Sequence, residues 1–111
     1  MELTSAGHAA KLFQSGHYEE AAEMYSHCLD QLAVAPQDKR NNAHIALLFN
    51  RAACNSKLKK FETAVEDYDK ILSNDRKNSK ALAKKAKSLA KCKKFVEALE
   101  SAKLWLEGDP Q

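Results

Sequence analysis

The sequence predicts an all-α protein of three tandem helix-turn-helix repeats, and two observations support this prediction. Apolar residues recur at three- and four-residue steps along most of the chain, which is the period of a helix that buries one face. In addition, a three-residue motif recurs along the chain. Its members Phe61, Ala64 and Leu72 are followed 34 residues later by Phe95, Ala98 and Leu106. An upstream copy lies 43 residues earlier, at Tyr18, Ala21 and Leu29. The first repeat therefore carries nine more residues than the second.

Breaks in the helical pattern separate six predicted helices. Thr4 or Ser5 can cap the first helix, and Gly16 ends it. Pro36 ends the second helix, and the polar residues 36–40 are expected to form a connector. Asn78 or Ser79 can cap the fifth helix. The predicted helices cover residues 5–15, 18–35, 41–57, 61–73, 80–91 and 95–107.

Composition limits the class of protein. Ala, Leu, Lys and Glu dominate, which favours helices over sheets. No run of 18 apolar residues is present, so we expect no membrane span, and the N-terminus does not have the pattern of a secretory signal. The three cysteines, Cys28, Cys54 and Cys92, are an odd number without CxxC spacing, which is typical of buried free thiols in a reducing compartment. A cytoplasmic protein is therefore expected.

A period of 34 residues built from helix pairs resembles the tetratricopeptide repeat (TPR). The resemblance implies a right-handed α-solenoid, with repeat units at approximately 4–35, 41–74 and 79–108 in a single domain, 1–111. No polar-faced helix follows the third pair, so we expect a domain excised from a longer protein. Ala98, Ala102 and Trp105 are expected at its exposed end.

Basic residues concentrate near the third repeat. Residues 76–94 contain nine Lys and Arg and no acid. Within them, Lys80, Lys84, Lys87 and Lys91 step by four, three and four, which places their ammonium groups on one helix face. A solvated face that only confers solubility is one interpretation. The absence of interleaved acids favours a face that binds an anionic partner.

A closer resemblance is found at residues 50–54, NRAAC. It is similar to the second repeat of co-chaperones that grip the acidic C-terminal tails of heat-shock chaperones through a carboxylate clamp. The resemblance implies that Asn50, Lys80 and Lys84 hold carboxylates. The two positions aligned with the clamp residues of the first repeat hold Ala6 and Ala10, where that family has Lys and Asn.

These patterns predict a non-catalytic module that binds an extended acidic peptide, and by resemblance the C-terminal tail of a heat-shock chaperone. The predicted binding residues, on the first helices of the second and third pairs, are Phe49, Asn50, Lys57, Lys80, Lys84, Lys87 and Lys91. A scaffold that uses the repeat surface without a tail peptide is the alternative, and polyanion binding by residues 76–94 ranks below it. The sequence offers no catalytic or metal-ligand constellation, so we expect no enzyme, small-molecule substrate, metal or cofactor.

Overall fold

The computed structural model describes residues 5–33 and 37–108, with side chains for 5–33 and 42–107. These residues form helices and turns and contain no strand, so the all-α prediction is confirmed. The helices are α1 Ser5–Gln14, α2 Tyr18–Leu32, α3 Gln37–Lys57, α4 Phe61–Asn74, α5 Ser79–Lys91 and α6 Phe95–Gly108. None of them combines the length and apolar character that crossing a lipid bilayer requires.

Two predicted helix boundaries were wrong, both around the first connector. Helix α3 begins at Gln37 rather than at residue 41, so most of the predicted polar connector is helical. Gln, Lys and Arg all favour helices, so the composition of this segment is compatible with a helix as well as with a polar loop. Helix α2 ends at Leu32, and Ala33 lies in a turn. Helix α2 therefore ends three residues before the predicted residue 35. The candidate cap Thr4 lies outside the described residues.

The chain divides into two compact units, residues 1–59 and 60–111. In the first unit, α1 packs against α2 and α2 packs against α3. Small residues on each helix, Ala9, Ala21 and Ala52, are fully buried, which allows close approach of the helix backbones. The guanidinium Nη1 of Arg51 donates a hydrogen bond of 3.0 Å to Ser26 Oγ, which fixes α3 to α2.

In the second unit, α4 packs against α5 and α5 against α6. Its buried residues include Ala64 and Tyr68 on α4 and Leu82 on α5. The buried hydroxyl of Ser101 on α6 donates a hydrogen bond of 2.9 Å to the carbonyl oxygen of Leu82, which fixes α6 to α5. Asn78 caps α5, because its side-chain oxygen accepts a bond of 2.9 Å from the backbone N–H of Ala81.

The turns that follow α1, α3 and α5 share one backbone geometry. Each contains a residue with positive φ: Gly16 at 84°, Lys59 at 63° and Lys93 at 66°. After α1, the N–H of His17 bonds the carbonyl of Leu12, and after α5 the N–H of Lys94 bonds the carbonyl of Leu89 in the same way. Such bonds close a helix whose next residue is left-handed, a place that glycine usually takes. Two of the three turns therefore carry a lysine where glycine would be less strained.

Replacing Lys93 by glycine should stabilise the fold. Left-handed geometry costs a residue with a Cβ about 1–2 kcal/mol, which glycine avoids. Part of this stabilisation is offset, because glycine gives the unfolded chain more conformational freedom to lose on folding. We therefore expect Lys93→Gly to raise the unfolding free energy by about 0.5 kcal/mol, measured by urea titration. Lys94→Gly is the control, since the backbone of Lys94 is not left-handed. Equal or lower stability of Lys93→Gly relative to this control would contradict the strain argument.

Helix α6 exposes a large apolar surface. Its exposed apolar residues are Phe95, Val96, Leu99, Leu104, Trp105 and Leu106, with Leu99 at 66% and Trp105 at 37% exposure. The sequence placed Ala98 and Ala102 at this exposed end, and that placement was wrong. Ala98 is buried and Ala102 is half-buried, because the alanine side of α6 lies with Ser101 toward α5.

Candidate functional site

A small pocket lies among the three helices of the first unit. Its volume is about 270 Å³. The residues that line it are Ala10, Phe13 and Gln14 of α1, Tyr25 of α2, and Asn50 and Ala53 of α3. The Phe13 ring meets Tyr18 edge-on, with 5.2 Å between ring centroids, so one wall is held in place by aromatic packing.

The described lining of the pocket is uncharged. Of the described residues, none that lines it carries a charge, and its polar groups are the amides of Gln14 and Asn50 and the phenol of Tyr25. Tyr25 is buried. Burial raises the pKa of its phenol, and proximity to Cys54 and Cys28 raises it further. Amides can both donate and accept hydrogen bonds, so the pocket can orient a polar backbone while it encloses an uncharged group.

Two buried thiols lie near Tyr25. Burial raises the pKa of Cys54 from 9.0 to about 11 and also raises that of Cys28, because the thiolate loses its water. Both thiols are free and buried, and Cys92 is free and half-buried. The cysteines of the first unit therefore act as small core residues and stay protonated at neutral pH.

This shift predicts how stability changes with pH. Above about pH 9 the unfolded Cys54 thiol loses its proton, whereas the folded thiol keeps it until about pH 11. The unfolding free energy should therefore fall as pH rises through this range because of Cys54. Cys54→Ser removes the titrating group, so urea titrations at pH 8, 9 and 10 should show a shallower decline for the variant. Parallel declines of the two proteins would contradict the shift.

The basic row, Lys80, Lys84, Lys87 and Lys91, lies on α5 of the second unit, and all four side chains are exposed. Lys91 Nζ lies 5.3 Å from the centroid of the Phe61 ring, a cation–π contact. Lys85 is half-buried, and its Nζ lies 2.6 Å from Asp69 Oδ1. Within the described part of the chain, no carboxylate forms an ion pair with Lys84 or Lys87.

The other predicted site residues lie in the first unit. Asn50 is exposed at the pocket, Phe49 is half-buried, and the exposed Lys57 is the last residue of α3. The sequence did not indicate the place of Tyr25 in the pocket wall, because an apolar stripe on a helix predicts burial alone. In residues 5–33 and 37–108, no group of three or more His, Cys, Asp or Glu is arranged to hold a metal ion.

The arrangement of the helices matches a solved structure over nearly the whole chain. The match is to the first TPR of Spaghetti (RPAP3) bound to the HSP90 peptide SRMEEVD, with a TM-score of 0.75 and 25% identity, over 96% of this chain and 78% of that chain. The chain has the tetratricopeptide-repeat fold. No protein-family model matches the chain.

Curated relatives of this TPR chain include two that are named as Hsp70/Hsp90 co-chaperones. It is 32% identical over 104 residues to sperm-associated antigen 1 of Rattus norvegicus, which covers 94% of this chain and 10% of the relative. It is 33% identical over 97 residues to the Hsp70/Hsp90 co-chaperone cns1 of Schizosaccharomyces pombe, and 34% identical over 92 residues to CNS1 of Saccharomyces cerevisiae. These matches cover 87% and 83% of this chain, and the chain spans 26% and 23% of the two relatives.

Proposed function

We propose that this chain is a non-catalytic, cytoplasmic adaptor module that binds the acidic C-terminal tail of a heat-shock chaperone. The observation that carries the proposal is the structural likeness to a TPR that holds the HSP90 peptide SRMEEVD. The relatives named as Hsp70/Hsp90 co-chaperones support it. The proposed repeat units are about 4–35, 41–74 and 79–108.

The basic row supplies the charge that such a tail needs. From Lys80 to Lys91 the row covers about 16 Å at 1.5 Å per helical residue, the length of about five residues of extended peptide. The peptide SRMEEVD carries three acidic side chains within five residues. Lys80 and Lys84 would hold carboxylates by charge-assisted hydrogen bonds, and Lys87 and Lys91 would extend the same field along the peptide.

Further proposed binding residues lie on α3 of the first unit. The exposed Asn50 amide can bond carbonyl or N–H groups of the peptide, and Phe49 would pack beside it. Lys57 adds a positive charge at the end of α3. Asn50→Ala should weaken binding by less than loss of a lysine, because a neutral hydrogen bond contributes about half as much as a charged one.

Calorimetric titration of the chain with SRMEEVD tests the function directly. We expect a dissociation constant in the tens of micromolar, about −6 kcal/mol, because two clamp positions of the related co-chaperones are alanines here. The matched control peptide is SRMQQVN, which has the same shape and no acidic side chain, and it should not bind measurably. Equal binding of the two peptides, or binding of neither, would refute the proposal.

The apolar surface of α6 favours a second candidate, a scaffold subunit that assembles through this helix. Exposed apolar patches of this kind mark protein interaction surfaces. Sedimentation across a concentration series, in the absence of peptide, tests it. Self-association that Leu99→Glu abolishes would support the scaffold, and a monomer at every concentration would count against self-assembly.

A further inference from the structure

The pocket of the first unit changes what kind of peptide group the chain can accept. Resting on the proposed function, we infer that this pocket holds an uncharged aliphatic or thioether side chain of the peptide and not its terminal carboxylate. The chain would therefore recognise acidic segments that do not end at a free C-terminus. The chain's own residues at the pocket carry this inference.

The uncharged lining of the pocket disfavours a carboxylate. A carboxylate that leaves water needs a cation or several donors to compensate for its lost hydration. The described lining offers two amides and a phenol and no cation, and Ala10 stands at a position where a longer polar residue could have reached in. Burying a carboxylate there would be unfavourable, whereas an uncharged side chain loses little by leaving water.

The volume of the pocket matches one apolar side chain. A dry cavity of about 150 Å³ lined by apolar side chains is large enough to bind benzene. The pocket here has about 270 Å³, and its walls are formed by the Phe13 and Tyr25 rings and by Ala10 and Ala53. One side chain of the size of valine, leucine or methionine fits this space. The amides of Gln14 and Asn50 are then available for the backbone that carries it.

The acidic side chains of the peptide have a different partner, the basic row on α5. If the basic row holds the side-chain carboxylates, the terminal carboxylate contributes to the binding free energy only through its long-range attraction to a chain of net charge +3. Removing the terminal charge should then cost little, and the peptide should still bind when residues follow its last aspartate. A clamp on the terminal carboxylate would make both changes severe.

The decisive experiment compares SRMEEVD with a free C-terminus and the same peptide amidated, by calorimetry on the unmodified chain. We expect amidation to weaken binding by less than about threefold, the size of a screened long-range effect. If the terminal carboxylate instead accepted a charge-assisted hydrogen bond, amidation would raise the dissociation constant tenfold or more. Tight binding of the free peptide with loss of the amidated one overturns the inference and leaves the proposed function standing. Failure of both peptides overturns the proposed function itself.

Peptide truncations test the occupant without touching the fold. SRAEEVD and SRMEEAD each remove one apolar side chain, and we expect at least one to bind about tenfold more weakly, the usual scale for losing an aliphatic group from a pocket. Unchanged binding of both truncated peptides would show that the pocket is not used.

Two variants of the chain place the effect in the pocket. Ala10→Leu fills it and should remove the difference between the parent and the truncated peptide, as in a double-mutant cycle. Ala10→Lys supplies the missing cation and should make the free peptide bind at least about tenfold better than the amidated one. The controls are Ala43→Leu and Ala43→Lys, at an exposed position of α3 outside the lining. Equal effects at both positions would overturn the assignment to the pocket.

Discussion

A chain in which Lys80 and Lys84 are both alanine should no longer bind SRMEEVD measurably, while its helical content is unchanged. Each lysine is expected to contribute about 1.5–3 kcal/mol through charge-assisted hydrogen bonds, which together approach the whole binding energy of about −6 kcal/mol. The helix itself should tolerate the change, because alanine is the best helix former and two like charges four residues apart are removed. Calorimetry measures the binding, and far-ultraviolet circular dichroism measures the helix.

The matched control replaces Lys93 and Lys94 by alanine, which reduces the net charge by the same amount. Lys94 Nζ lies 3.7 Å from Glu62 Oε2, an exposed contact that contributes little to stability. Loss of this pair should reduce only the association rate and the salt dependence, as charges at the rim of an interface do. If it abolishes binding as fully as the Lys80 and Lys84 change, the attraction is diffuse, and polyanion binding by residues 76–94 replaces the specific site.

The largest expected loss of stability in the second unit comes from Ala64→Leu. Ala64 is fully buried on α4, so three added carbon atoms must displace neighbouring side chains or backbone. Such overpacking costs about 1–3 kcal/mol, and in a domain of this size the melting temperature should fall by about 4 °C or more. Thermal unfolding followed by circular dichroism measures the change.

Ala90→Leu is the control for this substitution, because Ala90 is exposed on α5 and the added side chain meets solvent. It should change the melting temperature little. An unchanged melting curve for Ala64→Leu would mean that the repeat alanines do not mark close helix contacts. The alignment of the repeat units, on which the site residues depend, would then need revision.

Helix positions were predictable from sequence because each helix buries a stripe that repeats at the helical period. The start of α3 was not, since the polar first turn of a helix and a polar loop have the same composition. The positive φ at Lys59 and Lys93 had no signal of its own, because lysine gives no indication of left-handed geometry. The only indication of these turns was the repeat spacing, because Gly16 lies 43 residues before Lys59 and 77 residues before Lys93.

The charge of α5 was readable from sequence, but the partners of its lysines were not. Lys84 and Lys85 are adjacent in sequence, and their different environments follow from a tertiary contact of Lys85 with Asp69, sixteen residues away. The neutral pocket could likewise be predicted only in part. The sequence shows alanine at position 10, where the related co-chaperones have a clamp residue. It does not show the volume of the pocket beside Ala10, which depends on how Phe13 and Tyr25 pack.

The single tryptophan of the chain gives an optical probe that reports on one unit alone. Trp105 lies on α6 at 37% exposure, so its fluorescence should shift when α6 leaves α5. Circular dichroism, by contrast, follows the helices of both units. Coincident unfolding curves from the two signals would mark a single cooperative transition, and separated curves would show that the two units melt independently.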